Sequence, residues 1–359
     1  MFPPSPYVYA LCQVGLEKVL KDEVKARHPE LRPAFMRPGL ITWKADAPLP
    51  PDFRLRAVFQ RAHGFSVGGQ PDEDTLLARI RELVGSGRVV LHVAERDRHA
   101  PDDEPPEYPF GAEARALEAR LRERAPELFH ERTLPELGET VLDVVVGEGD
   151  RPLLGYHVHD RFHPACAGGR LPVVLPPEAP SRAYLKAAEA LAWTGFDVRE
   201  GDVAVEIGSS PGGVTYALLE RGLSVIGIDP GAMAPNVLAY GELEPPRFRH
   251  LDVPVAQVPR EALPKSVDWL LLDANIAPQV SLRQAQRLVA MLRPTLRGVF
   301  FTLKLNGWPM AQKAEMLAER VGSMGLENVR AAHLHANRME FSVFAENPRR
   351  PCYRRSLRG

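Results

Sequence analysis

Four residues frame the chemistry of this chain: Lys186, Asp273, Lys304 and Glu340. Lys304 stands near the end of an apolar run, "GVFFTLKLNGW", and Asp273 at the matching end of another, "VDWLLLDA". Lys186 lies on a helix in "SRAYLKAAEA", and Glu340 in a late hairpin, "HANRMEFSVF". Lysine is rarely buried without a partner, so a lysine at the carboxyl end of a buried strand points to a ligand cleft. Two lysines and two carboxylates suit removal of a proton from a poor nucleophile, such as a ribose 2′-hydroxyl attacking a sulfonium methyl. A neutral lysine accepts that proton. Desolvation and a second cation are expected to lower its pKa, with the acids orienting it and limiting the shift. The chemistry requires no metal.

The methyl donor needs its own cradle. "VEIGSSPGGVTYALLERG", residues 205–222, reads as strand, turn and helix. A dinucleotide turn is G-x-G-x-x-G, but Gly208, Ser210 and Gly213 occupy those positions, so the glycine that admits a pyrophosphate is missing. No G-K-[ST] follows, which excludes a P-loop. S-adenosylmethionine carries no phosphate and fits better. Asp229, ending "SVIGID", is spaced to accept from its ribose hydroxyls, and Asp252, in "FRHLDVP", from its adenine amino group. After Asp273 the chain reads Ala274-Asn275-Ile276 rather than the [ND]-P-P-[FY] of exocyclic-amine methyltransferases. The absence of a cysteine between Cys166 and Cys352 disfavours a cytosine C5 mechanism.

These residues need elements to hold them. From Ala183 onward helices and short continuous apolar strands alternate, which predicts a mainly parallel, doubly wound α/β domain with two late strands closing one edge. Before it lie two small α+β blocks. The first runs from a strand at Tyr7 through a helix bearing Leu16, Val19, Leu20 and Val24 to a strand from Gly39. The second has a helix capped by Asp72 and carrying Leu76, Leu77, Ile80 and Leu83, then "RVVLHVA", an acidic Pro-rich loop at "RDRHAPDDEPPEYPFG", a second helix, and the strands "TVLDVVV" and "PLLGYHVH". "GGRLPVVLPPEAPSRAY" reads as a connector.

The 359 residues suggest two or three domains. Net charge is −1, so a nucleic-acid surface must be a local patch, for which Lys21, Lys25, Arg27, Arg32 and Arg37 are one candidate and the arginine-rich tail another. The patch reads equally as a solvated helix face, and the tail reads more readily as a solvated, disordered end than as an RNA contact. Three scattered cysteines give neither a zinc ribbon nor a disulfide framework and fit a reducing, cytoplasmic setting. No signal peptide or membrane span is expected. His157, His159 and His163 read as a polar strand face rather than a metal site.

"APSRAYLKAAEA", "EIGSSPGGVTYALLERGLSVIGIDPGAMAP", "WLLLDA", "FTLKLNGWPM" and "NRMEFSVFA" resemble the bacterial 23S ribosomal RNA 2′-O-ribose methyltransferase M family. The resemblance covers most of the chain and is specific in the second half. It implies a Rossmann-like methyltransferase domain at 183–346, preceded by a ferredoxin-like segment at 1–68, a THUMP-like RNA-binding domain at 69–168 and a linker at 169–182, with a basic tail at 347–359. It implies methylation of a cytidine in 23S rRNA or its precursor. The family's donor contacts fall on Gly208, Ser210, Pro211, Gly212, Gly213, Asp229, Asp252 and Asp273, and its Lys-Asp-Lys-Glu tetrad on Lys186, Asp273, Lys304 and Glu340, with Lys304 the proton acceptor. Ser210 stands where the family usually has Cys, Ala183 where it has a donor-contacting Ser, and the stretch from Lys186 to Val203 is shorter. Two other classes remain open on the residues alone: a methyltransferase of this fold acting on a protein or small molecule, and a non-catalytic RNA-binding module. The front half favours a large substrate, and oligomeric state is left open.

Overall fold

The computed structural model describes residues 2, 4–97, 100, 111–147, 149–350 and 352. Most of the acidic Pro-rich loop and most of the basic tail lie outside the described residues. The chain divides into two compact units, Met1–Pro172 and Val173–Gly359.

The first unit contains β1 (Tyr7–Leu11), α1 (Glu17–Arg27), β2 (Arg32–Arg37), β3 (Leu40–Lys44), β4 (Ala62–Gly69), α2 (Glu73–Val84), β5 (Val90–Glu95), α3 (Ala112–Arg124), β6 (Thr140–Val146) and β7 (Leu153–Val158). All seven strands join one sheet in the order β2-β3-β1-β4-β7-β6-β5, continuous across position 68. β4 is the junction, pairing antiparallel with β1 on one side and β7 on the other. Alternation sorts the two faces. Val8, Ala10, Ile41 and Trp43 pack under Leu20 and Val24 of α1. Leu91, Val93, Leu142 and Val144 pack under Leu76, Leu77 and Ile80 of α2 and Leu117 and Leu121 of α3. The Asp72 carboxylate accepts from the Thr75 N–H at 2.7 Å and so caps α2, as its sequence position predicts. β2 and β4 are strands that the apolar pattern does not announce.

The second unit runs α4 (Ala183–Thr194), β8 (Val203–Ile207), α5 (Gly213–Leu219), β9 (Ser224–Ile228), α6 (Pro235–Leu238), β10 (Phe248–Leu251), β11 (Trp269–Leu272), α7 (Pro278–Leu292), β12 (Gly298–Lys304), α8 (Ala314–Gly322), β13 (Glu327–Ala332) and β14 (Glu340–Glu346). Its sheet order is β10-β9-β8-β11-β12-β14-β13. The first five strands are parallel, and β14 is antiparallel between β12 and β13. This is the doubly wound sheet expected, with the two late strands at one edge. One face buries Ala204, Val225, Leu271, Phe300 and Phe344 against α4 and α5. Each large apolar side chain so buried contributes about 1.5–3 kcal/mol relative to exposure. The alternate residues, among them Val205, Ile226, Leu270 and Phe301, are equally buried. α7 packs against β11 and β12, and α8 against β13 and β14. The chain leaves β8 outward to β9 and β10, then returns to β11 on the other side. That reversal opens a crevice beyond the carboxyl ends of β8 and β11. Among the described residues no helix is long and apolar enough to cross a membrane.

Candidate active site

The four candidate catalytic residues meet at these strand ends. Antiparallel register sets Lys304 directly opposite Glu340, a pairing that brings two side chains to the same face. Asp273 follows β11 and is held by its N–H donating to the Ile207 carbonyl at 3.0 Å. Lys186 sits in the first turn of α4. A cation there opposes the helix dipole, so it needs carboxylates nearby. It has them: Lys186 Nζ donates to Asp273 Oδ2 at 3.0 Å and lies 2.7 Å from Glu340 Oε1. Lys304 Nζ donates to Glu340 Oε2 at 2.5 Å and lies 3.4 Å from Asp273 Oδ1. The result is a closed ring of alternating charge. The carboxylates are the more enclosed partners, with side chains 8% and 6% exposed against 15% for Lys186 and 20% for Lys304. The ring is thus rooted in protein while its ammonium groups reach solvent.

The expectation of a lowered lysine pKa is corrected for Lys304. Burial does push its ammonium downward. The carboxylates of Asp273 and Glu340 outweigh that, and the group lies above the ordinary lysine value. The ligand-free ring therefore stores the proton on Lys304.

The glycine turn lies beside the ring. Gly208 has φ +83°, and a Cβ there would sit 2.7 Å from the Asp273 carbonyl oxygen and the Ala274 Cα. Only glycine lets the end of β8 come this close to the end of β11. Gly213, the first residue of α5, is confined in another way. A Cβ there would lie 2.3 Å from Ser181 Oγ and 3.0 Å from the Tyr184 N. That contact locks the turn against the start of α4, the helix that carries Lys186. Gly212 has φ +117°. Ser210 Oγ donates to the Ala232 carbonyl at 2.7 Å, tying the turn to the segment after β9. Asp229 follows β9, and its Oδ1 accepts from the Gly231 N–H at 2.7 Å, which fixes the carboxylate at the crevice edge. His250 Nε2 lies 2.8 Å from the Asp229 carbonyl oxygen and donates to it, binding β10 to that corner. Asp252 follows β10 and is exposed; it is not part of the ring.

Residues 179–315 match the FtsJ-like methyltransferase family, a span that takes in the glycine turn, Asp229, Asp252 and three of the four ring residues. The second unit carries an FtsJ-like methyltransferase domain. Glu340 lies beyond the matched span and reaches the FtsJ-like site through the pairing of β14 with β12. Similar curated proteins include several named ribosomal RNA large subunit methyltransferase M. That of Pectobacterium atrosepticum is 30% identical over 237 residues, 63% of this chain and 61% of that protein. That of Xylella fastidiosa strain M12 is 31% identical over 185 residues, 49% of this chain and 50% of that protein. That of Marinobacter nauticus is 32% identical over 188 residues, 48% of each. The chain thus spans about half to three-fifths of the curated relatives it matches.

One buried carboxylate beside the glycine turn is not announced by the motifs of the sequence. Glu206, on β8 two residues before Gly208, is 1% exposed and accepts a hydrogen bond from Thr215 Oγ1 at 2.5 Å. Burial drives its carboxyl well above the usual range, with Asp273 and Asp229 adding to the rise against the Thr215 hydrogen bond. It pins α5 to β8 beneath the turn. The signal was a lone carboxylate inside "VAVEI", an apolar run where a charge is otherwise excluded.

Proposed function

We propose that this chain is an S-adenosylmethionine-dependent RNA 2′-O-ribose methyltransferase acting on a cytidine of 23S rRNA or its precursor. The observation that carries the reading is the closed Lys186–Asp273–Lys304–Glu340 ring beside a glycine cradle in an FtsJ-like domain. The names of the relatives supply the substrate class.

The residues suit the donor. Side chains at Gly208, Gly212 and Gly213 would fill the cradle or strain its backbone. A backbone-lined turn running Gly208, Ser210, Pro211, Gly212 and Gly213 would hold the amino-acid part, Asp229 the ribose hydroxyls, Asp252 the adenine amino group, and Asp273 the side toward the ring. Bound there, S-adenosylmethionine supplies an electrophilic methyl group on a sulfonium centre. Lys304 must first release to solvent, which its side chain reaches, the proton it holds in the free chain. A positive charge brought beside the ring lowers its pKa by repulsion. Neutral Lys304 then takes the proton of the 2′-hydroxyl as its oxygen bonds the methyl carbon, the methyl–sulfur bond breaks and the neutral thioether leaves. Glu340 and Asp273 stabilise the ammonium so formed, while Lys186 balances the second carboxylate. Holding hydroxyl and methyl in line contributes much of the rate.

Residues 1–68 and 69–168 are assigned in the same reading to ferredoxin-like and THUMP-like parts that recognise RNA, with 169–182 as linker and 347–359 as basic tail. The three free cysteines suit a reducing, cytoplasmic setting. Mass-spectrometric mapping of ribose methylation in rRNA from cells with and without the gene tests the proposal. One 2′-O-methylcytidine of 23S rRNA should disappear with the gene. An unchanged ribose-methylation map contradicts the assignment.

A further inference from the structure

Among the described residues, the α-helices of the first unit all pack on one face of its sheet. On the other face, Tyr7, Leu40, Thr42, Lys44, Ser66, Val145 and Leu153 line a cavity of about 770 Å³. Its floor is apolar sheet, Leu40, Val145 and Leu153 being buried there together with Tyr9 and Leu11. Among the described residues its rim is cationic, with Arg37, Lys44, Arg96 and Arg151 against the carboxylate of Asp150. The rim also exposes aromatic rings. Phe35 is 46% exposed and Tyr7 38% exposed. Each ring carries a cation, with the Arg37 guanidinium 4.8 Å from the Phe35 centroid and Lys44 Nζ 5.4 Å from that of Tyr7. Asp150 holds two guanidinium groups in place, accepting from Arg96 Nε at 2.9 Å and lying 3.5 Å from Arg37 Nε. Pre-ordered cations lose less entropy when they bind an anion.

We infer that this groove is a binding site for a single-stranded RNA segment, its bases stacking on Phe35 and Tyr7 and its phosphates meeting Arg37, Lys44, Arg96 and Arg151. Aromatic platforms flanked by cations are the chemistry by which unpaired nucleotides are held, because every base has a π-face and every linkage a negative charge. Among the described residues, the charge balance favours this groove over a second cavity on the same unit. That one, about 570 Å³, sets Arg54 and Arg161 against Asp52 and Asp160 and has no net attraction for phosphate. The bulge between Ser66 and Gly68 keeps the groove open on the β4 side, since nothing lies within 4 Å of a Cβ placed at Gly68. The inference rests on the RNA reading of the preceding section and names where that RNA is held.

Fluorescence anisotropy of the full chain with a labelled mixed-sequence RNA of roughly 12 nucleotides, single-stranded and then as a duplex, tests it. The single strand should bind more tightly. Phe35→Ala and Tyr7→Ala should each weaken it by about 5- to 150-fold, the range for loss of one base stack. Lys44→Glu should weaken it and make its salt dependence shallower by about one unit of slope. Phe162→Ala, a similarly exposed ring on the other cavity, should leave it unchanged. S-adenosylmethionine affinity should be the same in every variant, which controls for folding. Wild-type binding that survives Phe35→Ala, Tyr7→Ala and Lys44→Glu overturns the inference. So does a wild-type chain that prefers the duplex, binds no single strand, or prefers an oligoglutamate peptide. If the groove variants lose RNA binding but the wild-type chain adds no ribose methyl to rRNA, the proposed activity fails and the groove stands.

Discussion

Both units build seven-stranded sheets, yet they bury charge in opposite ways. The second sheet is largely apolar on both faces, Glu206 and Arg330 being exceptions, and gathers four charged side chains into a ring at its strand ends. The first sheet carries its buried polar groups in mid-face. His63, His163 and His157 stack there at centroid spacings of 4.2 and 4.5 Å, with His92 and His159 nearby. His157 Nδ1 lies 2.6 Å from Asp143 Oδ2, and His163 Nδ1 lies 2.9 Å from Asp160 Oδ1. Among the described residues no group of three or more such side chains is arranged to hold a metal. A doubly covered parallel sheet can offer a ligand only its ends. A sheet with helices on one side offers a whole face, and part of that face must be satisfied internally.

The largest effect follows from breaking the ring. Asp273→Ala leaves Lys186 and Lys304 sharing Glu340 alone. Turnover should fall by about 10²-fold or more, the scale of a misplaced acid–base group. The rising limb of log kcat against pH should also move to lower pH, because Asp273 is the first of the groups that raise the Lys304 pKa. Stopped-assay kinetics across pH would show both. A loss of rate with an unmoved profile removes Lys304 as the titrating base.

A smaller effect separates the cradle from the ring. Asp229→Ala should weaken S-adenosylmethionine by roughly 10- to 150-fold, the equivalent of about 1.5–3 kcal/mol for hydrogen bonds to a charged acceptor. Calorimetry reads it, and undiminished affinity would take Asp229 out of the donor site.

The smallest effect concerns the histidine face. Burial lowers the pKa of His63, His92 and His163, and that of His159 to about 4. The folded unit thus binds fewer protons than the unfolded chain below pH about 6.5. Its stability is intact above that pH and is lost as pH falls from there toward 4. Asp160, held below the usual carboxylate range by His163, adds to the loss at still lower pH. Scanning calorimetry should show the first unit's transition dropping between pH 7 and 5, by roughly 2–4 °C per kcal/mol lost in a unit of this size. S-adenosylmethionine should raise only the second unit's transition, which assigns the two. A first transition flat across that range would mean the histidines are not held neutral.

The contrast between the sheets also explains what the sequence disclosed. "SVIGI" and "WLLL" are near-continuous apolar runs, and "VAVEI" is interrupted by Glu206, because both faces of their sheet are covered, so the doubly wound fold was legible. The cap at Asp72 was legible for a local reason, an acceptor one turn before its donor. β2 was not, because all six of its residues are exposed and one is Pro33. It is a strand only through its pairing with β3. β4 carries Gly64, Gly68 and Gly69, which weaken a strand pattern. Gly64 is required there because a Cβ would come within 2.6 Å of the Tyr156 carbonyl oxygen on β7. The ring members were legible one by one as charges at the ends of apolar segments. The sign of the Lys304 shift was not, since it depends on distances to two carboxylates that only the register of β12 with β14 and the close approach of β8 to β11 create.

The central claim is that the ring is the catalyst and Lys304 its proton acceptor. Single-turnover methylation of 23S rRNA from cells lacking the gene, with Lys304→Met and Lys304→Arg beside wild type, tests it most directly. Methionine keeps the length without the amine, and arginine keeps a charge that does not come off. Both variants should bind S-adenosylmethionine as wild type does and methylate about 10²–10⁴-fold more slowly. Near-wild-type rates in both would contradict the account and leave Lys186 as the next amine to test.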